Sequence, residues 1–167
     1  MKIKLSALVL SMSLLFCVSG SAQEFYSSAV GLRLGYPASI SYKTFISDQA
    51  ALEGYVGLRS WGFGNFINIS GAYQHHMPID EVDGLQWYVG GGASVYFWSY
   101  DDVFFDERYS STNFGIQGYV GLDYAFKDAP VNLTLDWVPT FFLGGTLNIN
   151  TFGYGYGSLG VRYILGR

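Results

Sequence analysis

Cysteine occurs once, at Cys17, so the chain beyond it can form neither a disulfide nor a thiolate metal site. Charge is scarce as well: Asp, Glu, Lys and Arg make up 13% of the 167 residues, against about 25% in ordinary domains. Proline appears four times and histidine twice. Past residue 22 no apolar run approaches the about 20 residues of a spanning helix. Helix caps followed by a 3.6-residue period are also missing. No GxGxxG, Walker loop, HExxH or GxSxG occurs, so nucleotide-binding, zinc-peptidase and serine-hydrolase signatures are all lacking. The net charge of −4 argues against nucleic acid as a partner.

Aromatic residues and glycine are plentiful, at 19% of the chain and 22 residues respectively. A soluble domain with few charges and this much Tyr and Phe would aggregate; a lipid-facing surface accounts for the composition. The N-terminus reads as an export signal. Lys2 and Lys4 precede an apolar run over 5–18, and Gly20-Ser21-Ala22 is a small-residue cleavage site before Gln23. Phe16 stands before Cys17 where a lipoprotein signal wants a small residue, so lipid anchoring is not expected. Two parts follow: a signal peptide over 1–22 and one domain over 23–167. Without Lys2 and Lys4 the domain carries seven basic against 13 acidic residues.

Eight segments alternate with period two between turn residues, at 27–36, 38–46, 51–61, 65–75, 85–98, 113–126, 131–143 and 152–165. Adjacent strand residues point to opposite faces. One face holds Val30, Leu32 and Leu34, then Ile40, Val56, Ile69, Val89, Ile116, Leu135 and Val161, with no charge in any segment. The other carries every charged strand residue: Arg33, Lys43, Glu53, Arg59, Asp123, Asp136 and Arg162. It also carries Ser41, Asn68, Gln74, Gln117, Asn132 and Thr140, with many Gly.

A soluble sandwich or lipocalin-like barrel would turn the apolar face inward; a membrane barrel turns it outward. The polar face holds four basic and three acidic residues, too few for a solvated surface, and small residues suited to a tight interior. Backbone groups in hydrocarbon must be satisfied internally, so strands cross only as a closed barrel. The fold expected is all-β: an eight-stranded antiparallel up-and-down transmembrane barrel. An even strand count places both ends on one side, the periplasm after export, and puts loop 99–112 outside. Tyr73, Trp87, Tyr124, Phe126 and Tyr163 are expected at the inner lipid boundary, and Tyr36, Phe97, Phe114 and Phe141 at the outer.

At the C-terminus Ser158-x-Gly160-x-x-Tyr163-x-Leu165 resembles the assembly signal of outer-membrane barrels, although Leu165 stands where Phe is usual and Gly166-Arg167 follow. With the export signal and eight strands, the chain resembles the OmpA/OmpX-type small outer-membrane barrel family. The resemblance implies a cell outer membrane location in a Gram-negative envelope, with lipid around the barrel and insertion by the barrel-assembly machinery. It carries over no site residues.

The charged lumen residues are expected to form one paired network, because an isolated buried ion is costly. Lys43 and Glu53 flank the turn at 47–50, and Asp136 and Arg162 lie on the last two strands, with Arg33 beside them on closure. His75-His76 reads as a polar boundary before a periplasmic turn, not a metal site. The lipid A-modifying barrels PagP and PagL need a His, a Ser and a carboxylate toward the outer leaflet, and neither His maps there. The surface-contact candidate is the outer loop, with Tyr100, Asp101, Asp102, Phe104, Phe105, Asp106, Glu107, Arg108 and Tyr109, which suits a protein or a cation. The function expected is non-enzymatic, structural or surface-interacting, in a monomer without cofactors. The alternatives are a ligand-binding or transport accessory barrel and, less favoured, a lipid A-modifying enzyme.

Overall fold

The computed structural model describes residues 26–61, 64–102, 107–145 and 152–166. The export signal at 1–22 lies outside the described residues. Eight strands follow one another: β1 (Ser28–Leu34), β2 (Ala38–Phe45), β3 (Ala50–Trp61), β4 (Gly64–Pro78), β5 (Leu85–Asp102), β6 (Glu107–Ala125), β7 (Val131–Gly145) and β8 (Phe152–Gly166). Each pairs antiparallel with its sequence neighbour, and β8 pairs with β1, closing the sheet into a barrel. Closure removes every free edge, which a strand in hydrocarbon cannot tolerate.

The period-two pattern sets the faces. Outside stand Leu32, Ile40, Leu58, Ile69, Ile116, Leu135 and Tyr163, each at least 45% exposed to the barrel's surroundings. Inside, Ser41, Asn68, Gln74, Gln117, Asn132 and Thr140 are all buried. Outward glycines face aromatic rings across the ladder: Tyr42 pairs with Gly54, Tyr73 with Gly91 and Trp137 with Gly157. Such pairs restore packing that glycine lacks.

Both described chain ends, Tyr26 and Gly166, lie at one end of the barrel, where Ser27 N donates to Gly166 O at 2.8 Å. The turns after β2, β4 and β6 lie at this terminal end. In the turn after β4, Gly84 has φ of +84° and closes onto β6, Ala125 N donating to Gly84 O at 2.9 Å. A Cβ at Gly84 would strike the Ala125 carbonyl, so both conformation and space require glycine.

Strand limits depart most from the sequence reading in two places. The β5–β6 ladder runs on through Tyr100↔Tyr109, Asp101↔Arg108 and Asp102↔Glu107, so most of the expected outer loop is a hairpin extension. Beyond hydrocarbon a ladder needs only its backbone bonds, and charged side chains disguise it as a loop. At the other limit β4 continues to Pro78, carrying His75 and His76 into the sheet. The barrel is lopsided: β1 and β2 have 7 and 8 residues, β5 and β6 have 18 and 19.

Candidate functional site: the barrel lumen

Tyr26, Ala29, Ala125 and Ile164 form an apolar layer inside the terminal end, with Phe45 packed against it. The Tyr26 and Phe45 rings meet edge to face at 5.0 Å. Burial, and next the Asp123 carboxylate, raise the Tyr26 phenol well above its ordinary value. It therefore stays a donor to Asp123 Oδ2, at 2.9 Å.

Above this layer sits Asp123. Lys43 Nζ donates to Asp123 Oδ2 at 2.7 Å and to His76 Nε2 at 2.9 Å. Asn132 Nδ2 donates to Asp123 Oδ1 at 2.5 Å. His76 Nε2 also lies 3.5 Å from Asp123 Oδ2, so the lysine, the imidazole and the carboxylate form one cluster. The His76 ring stacks on Tyr88 at 4.8 Å.

The next level centres on Glu53. Arg33 Nη1 donates to both Glu53 oxygens at 3.0 Å, and Arg33 Nη2 to both Asp136 oxygens at 2.9 Å. Arg162 Nη2 also donates to Glu53 Oε1, and Gln74 Nε2 donates to Oε2 at 2.7 Å. Tyr88 OH donates to Asp136. Arg162 is further held by Ser41 Oγ and Thr134 Oγ1, each at 2.9 Å. Three cations thus face three carboxylates, all under 5% exposed. Each ion loses several kcal/mol of hydration on burial, offset only by this density of charge-assisted bonds.

Sequence register explains the convergence. Lys43 and Glu53 are direct cross-strand partners, and β8 lies between β1 and β7, bringing Arg162 to Arg33 and Asp136. Gly160 leaves room for the guanidinium: a Cβ there would stand 2.7 Å from Arg162 Nη1 and closer still to Thr134 Oγ1.

Beyond the ions the described lumen residues are polar and aromatic up to Arg59 at the rim. Tyr55 OH meets Tyr119 OH at 2.8 Å and donates to Gln117 Oε1 at 3.1 Å. Gln117 Nε2 reaches Thr140 Oγ1 at 3.3 Å. At the far end Tyr36, Phe66, Tyr96, Trp98, Phe142 and Tyr156 form a continuous aromatic collar, with Tyr36 stacked on Tyr156 at 4.6 Å and Phe66 tilted against Trp98 at 4.4 Å.

Of the seven charges read from sequence, six come together and Arg59 does not. Arg59 is exposed near the far rim, its Cζ 3.7 Å above the Tyr36 ring. Parity gave its face but not its depth, and an exposed ion keeps its hydration and needs no buried partner. Tyr36, expected against lipid, turns inward to meet Arg59 and Tyr156. His76, expected at a turn boundary, is fully buried in the lumen. Its two-residue spacing from Gln74 was the signal for that face. Tyr55 and Tyr88 share the parity of Glu53 and Gln86, but aromatic character hid them.

In the C-terminal motif Ser158 and Gly160 face the lumen, whereas Tyr163 and Leu165 point outward at 58% and 56% exposure. The side chains of Tyr100, Asp101, Asp102, Glu107, Arg108 and Tyr109, and all of Phe104, Phe105 and Asp106, lie outside what the structure describes. Among the described residues no group of three His, Cys, Asp or Glu is placed to hold a metal ion.

A closed eight-stranded antiparallel barrel with an apolar exterior and an ionic lumen defines the small outer-membrane barrel fold. Solved structures share this fold. The N-terminal β-barrel domain of Pseudomonas aeruginosa OprF matches with a TM-score of 0.55 and 17% identity, over 81% of this chain and 93% of that one. Neisserial surface protein A matches with a TM-score of 0.56 and 16% identity, over 83% of this chain and 93% of the other. At these identities the likeness is one of fold. No family model and no curated protein matches the sequence.

Proposed function

We propose that the chain is a non-enzymatic barrel of the bacterial outer membrane with a structural or surface-interaction role, its lumen plugged by the charged network. The observation carrying this reading is the ion cluster around Glu53 and Asp123, which spans the lumen from β1 and β2 to β6, β7 and β8 without leaving a carboxylate unpaired. An eight-stranded interior is only wide enough for side chains, so a general diffusion pore does not fit. The terminal end faces the periplasm in this reading, and the tall β5–β6 hairpin faces outward, where a partner protein or cation would meet it. Lipid surrounds the exterior, and the barrel-assembly machinery inserts the chain, with Tyr163 and Leu165 on the exposed face of the last strand.

Fractionation tests the location. The protein is expected with the outer membrane, migrating differently on gels before and after heating; recovery from the soluble periplasm would overturn the reading. Planar-bilayer recording tests the plug: the wild-type barrel is expected to show no steady conductance. Lipid A profiles with and without the protein should be identical, and any new acylation species would establish an enzyme instead.

A further inference from the structure

Between the ion cluster and the aromatic collar lies a cavity of about 30 Å³, with Arg33 at its floor. Three buried oxygens from three strands line it. Asn68 on β4 is fully buried and its Nδ2 donates to Ser70 Oγ at 2.8 Å, yet its Oδ1 has no partner among the described residues. Ser158 on β8 is 8% exposed, and its Oγ has no partner there either. Ser39 on β2 gives its hydroxyl hydrogen to Pro37 O at 3.1 Å, so only its acceptor capacity is open. Gly57 on β3 keeps the space beside two of them: a Cβ there would strike Asn68 Oδ1 and stand 2.6 Å from Ser39 Oγ. Buried polar groups are nearly always satisfied, so two orphans on one cavity call for an occupant.

Size and chemistry select the occupant. The volume matches one water molecule, whose share of the liquid is about 30 Å³. No carboxylate lines the cavity, so a cation has no counter-charge there. The Arg33 guanidinium is already held by Glu53 and Asp136, so an anion finds no free partner in it. Larger molecules have no way in. Tyr36 and Tyr156 line the outward side, stacked on each other at 4.6 Å, and Arg59 lies over Tyr36 with its Cζ 3.7 Å from the ring centroid. Water alone is small enough and both donates and accepts. It can donate to Asn68 Oδ1 and Ser39 Oγ and accept from Ser158 Oγ. Three bonds are the usual complement of a buried water.

We propose that the cavity binds one ordered water, which ties β4 and β2 to the closing strand β8 across the lumen. The water is the outermost layer of the plug, above the ions, where no side chain reaches from Asn68 to Ser158. This rests on the reading of a plugged lumen.

A crystal structure of the full barrel, at a resolution where water is ordered, tests the site directly. One round density within hydrogen-bond distance of Asn68 Oδ1, Ser158 Oγ and Ser39 Oγ is expected. No density, or the elongated density of an organic molecule, would overturn the proposal. A double-mutant cycle in urea unfolding tests the tie. Asn68→Leu and Ser158→Ala should each lower the folding equilibrium constant about tenfold. Either change releases the water, so the double variant should lose about tenfold less than the product of the two. Losses that simply multiply would mean that nothing joins the two residues. The structure of the unaltered protein decides the matter alone if a variant does not fold. Neither result bears on fractionation or conductance, so the water can fail while the plugged barrel stands.

Discussion

Replacing Glu53 by Gln keeps the side chain's shape and removes its charge. Arg33 retains a two-pronged contact with Asp136, but Arg162 loses its only carboxylate partner among the described residues. Ser41, Thr134 and Asn132 still accept from Arg162, yet none carries charge. Breaking a buried pair from one side costs about 3–5 kcal/mol, because the remaining ion stays desolvated. The amide oxygen of Gln can still accept one bond, so the lower end, about 3 kcal/mol, is expected. With a denaturant slope of about 2 kcal/mol per molar in urea, the midpoint should fall by about 1.5 M. The assay is urea unfolding of the barrel in lipid vesicles, followed by the shift of the folded band on unheated gels. Adding Arg162→Met to Glu53→Gln removes the stranded cation, and about 1–3 kcal/mol should return as coupling between the two sites. A loss below about 1 kcal/mol in Glu53→Gln, the range of exposed pairs, would mean that water reaches Glu53. The dry ionic plug would then be wrong.

Ile69 lies outward at mid-barrel, paired with Val56 and Val95. Ile69→Arg should cost about 2–4 kcal/mol in a bilayer, and vesicle unfolding that shows no loss would mean that this face meets water. Gly160→Ala should destabilise by about 1–3 kcal/mol through overpacking against Thr134 and Arg162; the same urea titration measures it, and an unchanged midpoint would refute the close approach. Protease added to intact cells should cut between Asp102 and Glu107 and spare the turn at 79–84, whereas the reverse pattern would invert the orientation.

Much of this architecture is local, and local features are readable from sequence. A strand's period of two divides residues between faces whatever the neighbouring strands do. The charge-free face of Leu32, Ile40, Ile69 and Val161 therefore announced the exterior, and Arg33, Lys43, Glu53, Asp123, Asp136 and Arg162 announced the interior. Short turns between successive strands made neighbours of Lys43 and Glu53. Which ion meets which was decided only by closure and by register across the lumen. Lys43 lies directly beside Glu53 on the ladder yet binds Asp123, four strands away, because Glu53 is taken by Arg33 and Arg162. Depth was equally hidden: parity cannot distinguish Arg59 at the rim from Arg33 at the centre, nor show that the short β1–β2 turn carries Tyr36 over the mouth. Three-dimensional closure alone brings Asn68 of β4 and Ser158 of β8 to one cavity, because residues 90 apart in the chain share a surface only when the first strand meets the last.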